Sequence, residues 1–379
     1  MCPLCPRTSP GSACFTIRPM HDADLDPADP LWATLRGMPK VVLHDHLDGG
    51  LRVATLIELL KMRGLPLPAD DAAGVDAWFQ RHAHAGSLAV YLEGFALTVQ
   101  AMATPRALAR VGFEAAEDAL ADGAVLAEFR IAPLLFEPHG VSGDAAVQAL
   151  LEGLSRSALT SGLIVCSMRE LPPSETERAV RLAIRWHGRG VIGFDLAGAE
   201  LGFPATEHAH ALSLARDAGL PLTLHAGEAD AAERVLEAVQ LGARRIGHGV
   251  HLADAIGDPA RSHLVDAVIA NDVHLEVCPT SNVHTGAAGS LARHPIGPLW
   301  RAGVSLSFHT DNRLISCITH SAEAVRLVRE TGLAPAELGE MMAQAARHSF
   351  LPEPAREQAT NAVRAWMARC PGPALRTSP

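Results

Sequence analysis

The sequence predicts an α/β protein that folds as a (β/α)8 TIM barrel, with a helical insertion after the first strand and extra helices at the C-terminal end. Eight apolar, β-branched runs alternate with segments of helical composition, an order typical of parallel strands joined by crossover helices. A length of 379 residues suits one such barrel with insertions. The Gly-rich phosphate-binding motif of dinucleotide folds does not follow the first strand, which disfavours an open doubly wound sheet.

The predicted strands are short apolar runs, and most of them end in polar or titratable residues. The first, 41–47, reads Val-Val-Leu-His-Asp-His-Leu, and the second, 124–132, reads Ala-Val-Leu-Ala-Glu-Phe-Arg-Ile-Ala. The other six are 161–168, 191–197, 221–226, 245–249, 273–279 and 304–311. Eight repeats of the strand–helix unit favour a closed barrel.

Segments rich in Ala, Leu, Arg and Glu predict the helices. A short helix within 31–40 leads into the first strand. The helices predicted between later strands are 143–159, 175–189, 206–218, 230–241, 260–271 and 291–302. Three more, 320–331, 335–348 and 353–369, follow the last strand.

The first crossover is unusually long. Residues 52–123 hold several helices, including 53–63, 87–101 and 105–121, and we expect them to form a helical lid insertion over the C-terminal mouth of the barrel. The apolar positions of its middle helix are Leu88, Tyr91, Leu92, Phe95, Leu97 and Val99. They either face the mouth or pack the insertion on itself, and both interpretations stay open.

We expect residues 1–30, which are rich in Pro, Asp and Ser, to be a flexible N-terminal extension. Residues 31–379 are predicted to form a single barrel domain. No apolar stretch approaches the roughly 20 residues that a membrane span needs. The seven cysteines are odd in number and scattered, which favours reduced thiols in the cytoplasm over a disulfide framework.

The balance of charge disfavours two classes of partner. The formal net charge is −10, and the sequence has no basic run. Nucleic acid and anionic membrane surfaces are therefore poor candidates, whereas a small neutral or cationic substrate suits the chain better. The only lysines are Lys40 and Lys61. This scarcity disfavours a Schiff-base mechanism and a two-metal centre with a carboxylated lysine at strand four, so we expect one metal ion.

Candidate metal ligands stand at the ends of the first, fifth and eighth strands. Side chains two apart on a strand share a face, so His44 and His46 can offer imidazoles to one point. Because barrel chemistry sits at the C-terminal ends of strands, His225 and Asp311 can join them. Three imidazoles and one carboxylate suit Zn²⁺ and leave a position for water, whose pKa the metal would lower.

Two further titratable residues lie beside this predicted centre. Glu228, three residues past His225, can act as a proton donor or shuttle without binding the metal. His248, flanked by glycines, can hydrogen-bond the water or stabilise a developing oxyanion.

Five other polar residues are expected to have structural roles, and for three of them a role in the site is the alternative. His309 should face the barrel interior, either as a partner of the metal site or as a satisfied core histidine. Glu128 and Arg130 are expected to form an ion pair inside the barrel. Ser281 and Asn282 either support the site by hydrogen bonds or form a turn after Pro279.

Five ordered motifs between residues 41 and about 312 resemble the adenosine deaminase family of the amidohydrolase superfamily. They are His44-Asp-His46-Leu-Asp48-Gly, Asp195-Leu-Ala-Gly198, His225-Ala-Gly-Glu228, Arg245-Ile-Gly-His248-Gly and Thr310-Asp311. The resemblance implies hydrolytic deamination of a 6-aminopurine nucleoside, with hydroxide attacking C6. Glu228 would protonate N1, and His248 and Asp311 would orient the water.

The resemblance also assigns the contacts to substrate. Gly198 would present its backbone N–H to purine N3, and Asp48 would accept a hydrogen bond from the ribose 5′-hydroxyl. The family usually has a second Asp after Asp311, where this chain has Asn312; its amide can donate to N7. Asp48 either binds substrate in this way or caps the following helix.

Three functions remain after the sequence is considered. Asp48 favours adenosine, with 2′-deoxyadenosine beside it, as the small-molecule substrate of a zinc-dependent purine-salvage enzyme, because relatives acting on adenine or aminodeoxyfutalosine commonly carry Glu there. Deamination of another 6-aminopurine is the alternative. A non-catalytic nucleoside-binding barrel is disfavoured, because the full set of ligands and Glu228 is present.

Overall fold

The structure is a computed structural model that describes residues 26, 28–83 and 88–370. Most of the predicted N-terminal extension, 1–30, lies outside the described residues, as do the side chains of Leu88 and Leu92 in the insertion. The described part begins with helix α1, Pro30–Arg36, whose first turn Asp29 caps through a hydrogen bond from the backbone N–H of Leu31.

Eight parallel strands form one sheet in sequential order. They are β1 Lys40–His46, β2 Ala124–Ile131, β3 Ser161–Met168, β4 Val191–Ala197, β5 Leu222–Ala226, β6 Arg245–His248, β7 His274–Val277 and β8 Leu306–Phe308. Nearly every strand residue is buried, because helices cover the outside and side chains fill the interior. The predicted (β/α)8 class is confirmed.

Backbone hydrogen bonds from the segment after β8 to β1 close the barrel. The N–H of His46 donates to the carbonyl of Asp311 at 2.8 Å, and the N–H of Asp311 donates to the carbonyl of His44 at 3.2 Å. A parallel bridge joins Asp45 and Asp311. This closure places the predicted metal ligands of the first and last strands side by side.

Helices occupy the crossovers that follow the second to seventh strands. They are α6 Gly143–Leu154, α7 Pro173–Trp186, α8 Ala209–Asp217, α9 Glu233–Gln240, α10 Ser262–Ala270, α11 Pro279–His284 and α12 Ile296–Arg301. After β8 come α13 His320–Thr331, α14 Pro335–His348 and α15 Glu353–Met367. Helix α14 packs against β8 and β1, and α15 packs against α14.

The insertion after β1 contains four helices, one more than the segments named from sequence. They are α2 Val53–Met62, α3 Ala72–Ala83, α4 Leu88–Met102 and α5 Pro105–Ala121. The side chains of Tyr91, Phe95 and Val99 from α4 line the cavity at the barrel mouth. Phe79 of α3 is fully buried, so the insertion also packs on itself. Of the positions named from sequence, Leu97 does not line the cavity and packs against the hydrophobic core instead.

Several predicted elements differ in their bounds from those observed, and proline or backbone conformation explains two of the differences. The strand expected at 304–311 spans only Leu306–Phe308, because the chain turns at Asp311, whose φ is +61°. The helix expected at 291–302 is divided by Pro295 into a short 3-10 turn and α12.

The expected Glu128–Arg130 ion pair is wrong, because each side chain has other partners within the barrel. Glu128 Oε2 lies 2.6 Å from Arg245 Nη2. Arg130 instead binds Asp195 at 2.8 Å and Glu276 at 2.5 Å. Two residues on one strand point into the interior, but the partners come from strands across the barrel.

The described cysteines are free thiols: Cys166, Cys278, Cys317 and Cys370. Among the described residues, no helix combines the length and apolar character needed to cross a bilayer.

Candidate active site

A cavity of about 350 Å³ opens at the C-terminal ends of the strands, beneath α4. Of the nine residues predicted to form the site, all but His44 line it. His44 lies deeper, at the cavity floor, and is fully buried. The residues that line the cavity are His46, Asp48, Gly198, His225, Glu228, His248, Asp311 and Asn312.

The four predicted metal ligands converge, with one ligand atom from each lying within 4.8 Å of the others. Asp311 Oδ1 is 3.3 Å from His44 Nε2 and 3.5 Å from His46 Nε2. His46 Nε2 is also 3.4 Å from His225 Nε2. The strand ends thus aim three imidazole nitrogens and one carboxylate oxygen at a common point.

The hydrogen bonds behind His44 make its inward nitrogen an electron-pair donor. Nδ1 lies 2.9 Å from Glu276 Oε2 and, facing a carboxylate, carries the ring proton. In the neutral ring, Nε2 therefore faces Asp311 Oδ1, 3.3 Å away, with a lone pair and no proton between them, although it is shielded from solvent. Two buried acceptors held face to face need positive charge between them.

A proton or a metal ion can supply this positive charge. Burial opposes charge on His44 and so does Arg130, but hydrogen bonds to Asp311 and Glu276 outweigh them and raise the pKa of His44. A divalent ion would occupy the same place with more ligands. The donor set of three imidazoles and one carboxylate fits such an ion.

His225 is oriented in the same way as His44. Its Nδ1 lies 3.0 Å from the carboxylate of Asp195 at the end of β4, so its Nε2 faces the common point. Burial would raise the pKa of Asp195, but the charges of His225 and Arg130 hold it far below its usual value. Carboxylates that bind the far nitrogen of a ligating histidine fix its tautomer and strengthen it as a ligand.

Asp311 is held by its backbone and by one hydroxyl. Its left-handed backbone, with φ +61°, turns the carboxylate toward the cavity, and Ser281 Oγ donates to Oδ2 at 2.6 Å. Burial opposes ionisation, but the hydrogen bond and charge of His44 keep the pKa of Asp311 well below its ordinary range. Ser281 lies in α11, not in a turn, and its hydrogen bond supports Asp311. This matches the first of its two interpretations from sequence.

A relay of hydrogen bonds determines which nitrogen of His248 carries the proton. The backbone N–H of Ile296 donates to His294 Nδ1 at 3.1 Å, and His294 Nε2 then donates to Asn282 Oδ1 at 3.3 Å. Asn282 Nδ2 donates in turn to His248 Nδ1 at 2.9 Å. Burial lowers the pKa of His248 to about 4, so the ring is neutral and its Nε2–H points into the cavity.

Glu228 places a carboxyl group beside His248. Thr285 Oγ1 donates to Oε1 at 3.0 Å, and Oε2 lies 3.5 Å from His248 Nε2. Burial, followed by the negative charge of Asp311, raises the pKa of Glu228 to about 7. Such a group exchanges its proton readily near neutral pH.

Asp48 is a second buried carboxyl on the opposite wall. Burial raises its pKa to about 7, and its Oδ1 has no hydrogen-bond partner among the described residues. The helix after it, α2, has Arg52 at its N-cap, so the capping interpretation of Asp48 is wrong. An acceptor without a partner on a cavity wall is available to a ligand hydroxyl.

Two glycines allow close approaches at the cavity. Gly198 has φ +93°, and a Cβ there would lie 2.1 Å from Glu170 Oε2. A Cβ on Gly49 would lie 1.9 Å from Asn312 Oδ1, so only glycine leaves room for the Asn312 side chain. Asn312 Oδ1 is buried and makes no hydrogen bond to a described residue.

His309 is a satisfied core histidine. Its Nδ1 accepts from the N–H of Leu43 at 3.3 Å, and its Nε2 lies 2.6 Å from Ser307 Oγ. Both ring nitrogens are therefore engaged away from the cavity, and His309 contributes to barrel closure between β8 and β1.

Sequence reasoning missed the residues that orient the ligands from behind. Glu276 and His294 have site roles that only the three-dimensional arrangement reveals, and Asp195 was recognised only as part of a motif. Glu276 carries a detectable signal, because a carboxylate in the middle of an apolar strand needs buried partners. His294 carries none, since it lies in an irregular segment far along the chain.

Known proteins resemble this chain over most of its length. The family model for adenosine deaminase matches residues 39–366. The adenosine deaminase of Mycobacterium tuberculosis (strain ATCC 25618 / H37Rv) is 40% identical over 341 residues, covering 86% of this chain and 93% of the relative. That of Mycobacterium sp. (strain JLS) is 42% identical over 330 residues, covering 83% and 91%.

Solved structures share the fold at lower identity. The adenine deaminase of Arthrobacter aurescens has a TM-score of 0.79 at 23% identity, covering 87% of this chain and 99% of that one. An amidohydrolase from Burkholderia ambifaria with bound Zn has a TM-score of 0.80 at 23% identity, covering 93% and 96%.

The barrel and the titratable groups at its mouth define a hydrolase of the amidohydrolase type. The chain belongs to the adenosine deaminase family and is a hydrolytic deaminase.

Proposed function

We propose that the chain catalyses the zinc-dependent hydrolytic deamination of adenosine, and of 2′-deoxyadenosine, to the inosine product and ammonia in purine salvage. The relatives named adenosine deaminase, 40% and 42% identical over most of the chain, support adenosine as substrate. The observation that carries the proposal is the convergence of three imidazoles and one carboxylate beside the buried carboxyl of Glu228. The free thiols support a reducing compartment, the cytoplasm.

One zinc ion per chain fits the donors at the cavity floor. The residues that would hold it are His44, His46, His225 and Asp311. Bound there, the metal would lower the pKa of a water molecule and provide a nucleophile near neutral pH. The Zn named in the Burkholderia ambifaria structure supports this choice of metal.

Glu228 would hold the proton that the purine needs. With a pKa of about 7, a substantial fraction of its carboxyl is protonated at neutral pH. Donation to ring nitrogen N1 draws electrons from C6 and makes that carbon a better electrophile. Because Thr285 occupies Oε1, Oε2 is the oxygen from which this proton leaves.

His248 would stabilise the charge that develops when an oxygen adds to C6. Its relay leaves Nε2–H as a fixed donor, and a pKa of about 4 makes the neutral ring a poor base. A donor that is already oriented and desolvated stabilises developing negative charge without reorganisation.

The remaining contacts would select the nucleoside. Asp48 Oδ1 can accept from the 5′-hydroxyl, since it is buried and makes no hydrogen bond to a described residue. Gly198 would offer its backbone N–H to N3, and the amide of Asn312 would donate to N7. These contacts would direct C6 of the base toward Glu228 and the ribose toward α4.

Adenosine turnover by zinc-loaded protein tests this proposal. We expect deamination of adenosine, loss of nearly all turnover in Glu228→Gln with zinc still bound, and wild-type turnover in Glu207→Gln, whose carboxylate is exposed. Adenine and aminodeoxyfutalosine serve as alternative substrates. Turnover of either one without turnover of adenosine would overturn the substrate, and no turnover of any would favour a nucleoside-binding barrel.

A further inference from the structure

One buried carboxylate receives hydrogen bonds from four consecutive backbone amides of the loop that carries Glu228. Oε1 of Glu200 accepts from the N–H of Gly227 at 2.6 Å. Its Oε2 accepts from the N–H groups of Glu228, Ala229 and Asp230 at 2.9, 2.7 and 3.1 Å. Glu200 is only 3% exposed, and it does not line the substrate cavity.

Four neighbouring N–H groups can meet at one anion only if the chain is curved. Gly227, with φ +67°, introduces this curve directly after β5. A concave run of backbone N–H groups is a site that attracts anions. In this protein the carboxylate of Glu200, from the loop after β4, occupies this concave site, so the chain itself supplies the anion.

The amide of Glu228 is one of the four, so its side chain starts from a backbone held on both sides. From there the carboxyl reaches Thr285 at 3.0 Å and His248 at 3.5 Å. The connection from β5 to α9 would otherwise be an irregular loop, because α9 begins only at Glu233. Loops without such anchors hold side chains less accurately than strands do.

Strand β4 and the loop after it thus orient two groups, one within β5 and one in the loop that follows β5. Asp195 binds Nδ1 of His225 at 3.0 Å, and Glu200, five residues later, binds the amides around Glu228. The sequence Asp-Leu-Ala-Gly-Ala-Glu therefore supplies one carboxylate to each of these two residues.

We propose that Glu200 is the positioning residue for Glu228, which it places for proton transfer by holding the backbone of residues 227–230. This inference rests on the proposed function, because a position for proton transfer has meaning only if Glu228 donates a proton. Glu200 touches neither the metal ligands' common point nor the cavity, so its loss should affect turnover more than substrate or metal binding.

The main test compares Glu200→Ala and Glu200→Gln with wild-type zinc-loaded protein. Gln keeps the size of the side chain but replaces one of two acceptor oxygens by a donor facing N–H groups. We expect kcat to fall about 100-fold in Glu200→Ala, the loss typical of a reacting group displaced by about 1 Å, with KM and zinc content little changed. Glu200→Gln should lose less.

Hydrogen exchange measures directly, without turnover, how well Glu200 holds the backbone of residues 227–230. Amides of residues 227–230 should exchange faster in both variants, while amides of β5 keep their protection. The control is Glu207→Gln, an exposed carboxylate between β4 and α8, for which exchange and kcat should match wild type.

Formate distinguishes positioning from general support of the fold. In Glu200→Ala, a small carboxylate can enter the vacated concave site, so kcat should rise with formate and saturate, whereas chloride at equal ionic strength should not act. Wild-type kcat in both variants, unchanged exchange, or a loss of kcat that follows melting temperature and ignores formate would overturn the inference. If wild-type protein turns over no aminopurine, the proposed function fails first, and the exchange result still reports whether Glu200 holds the loop.

Discussion

At the scale of single residues, the backbone N–H of Ile296 sets the direction of every hydrogen bond up to the cavity. A backbone amide can only donate, so His294 must accept through Nδ1 and donate through Nε2. Asn282 and His248 follow, and His248 presents N–H to the site. One fixed donor at the start of a chain of adaptable groups is therefore enough to specify a tautomer.

Removing the middle of this relay should reduce turnover by a modest amount. In Asn282→Ala, His248 Nδ1 loses its donor and both neutral tautomers become accessible. We expect kcat to fall about tenfold, the equivalent of one hydrogen bond, with little change in KM. Asn271→Ala, which removes an exposed amide bonded to Ala267, is the control and should be neutral. Full activity of Asn282→Ala would contradict the relay.

The pKa of Glu228 predicts how turnover depends on pH. Its carboxyl has a pKa raised to about 7 by burial, so the protonated, proton-donating form is lost as pH rises through that value. We expect kcat/KM for adenosine to decline on the alkaline side of about pH 7 in a profile from about pH 5 to about pH 9. The residual turnover of Glu228→Gln should lack this limb, and a flat wild-type profile would oppose the assignment.

At the scale of elements, α5 and α6 approach closely because glycine faces the contact on both sides. A Cβ on Gly153 would lie 2.1 Å from the carbonyl oxygen of Ala109, and one on Gly112 would lie 2.9 Å from that of Leu150. Neither glycine has a positive φ, so the requirement is one of space. The two helices cover β2 and β3, and their spacing fixes how the insertion joins the barrel.

Gly153→Ala should therefore lower stability without touching the site. The methyl group must push backbone away from backbone, and we expect a loss of about 1–3 kcal/mol in the free energy of unfolding. Denaturant unfolding measures this loss. Gly37→Ala adds a methyl at ordinary contact distance, 3.5 Å from Ala33 O, and serves as the control. Equal stability of the two variants would contradict the close contact.

At the scale of the whole molecule, buried ion pairs connect the N-terminal ends of the barrel strands with the predicted metal ligands at their C-terminal ends. Glu128 binds Ser349 near the end of α14 and pairs with Arg245. Glu276 then forms an ion pair with Arg245 at 2.6 Å and accepts hydrogen bonds from Arg130 at 2.5 Å and from His44 at 2.9 Å. The carboxylate of Glu276 therefore takes part both in packing near the N-terminal ends of the strands and in orienting His44 at the barrel mouth.

Glu276→Gln should lower both the stability of the fold and the affinity for zinc. The amide leaves two buried guanidinium groups short of charge, and we expect a loss of about 3–5 kcal/mol in unfolding free energy. Zinc affinity, measured by competition with a chromophoric chelator, should fall about 10–100-fold because His44 loses its orienting carboxylate. Glu177→Gln, which breaks a surface pair with Arg181, should change neither quantity. Unchanged zinc affinity would contradict the role of Glu276 in orienting His44, whatever its effect on stability.

The sequence predicted what depends on local pattern. β3 and β4 have the predicted bounds, and His44 and His46 share a face as strand periodicity requires. The partner of His44 was not predictable in this way, because Glu276 lies 232 residues away on a strand that is not adjacent to β1. Likewise, Glu128 and Arg130 could be placed in the interior, but their partners depend on the curvature of the closed barrel.

The separation of the predicted metal ligands along the chain has a consequence for biosynthesis. His46 and His225 are 179 residues apart, and the contact of Leu43 with His309 that closes the barrel spans 266 residues. A nascent chain on the ribosome therefore displays two histidines long before their partners emerge, and two imidazoles alone are a weak trap for zinc. If His44, His46, His225 and Asp311 hold the metal as proposed, the full set of ligands forms only after β8 has left the ribosome, because Asp311 follows that strand.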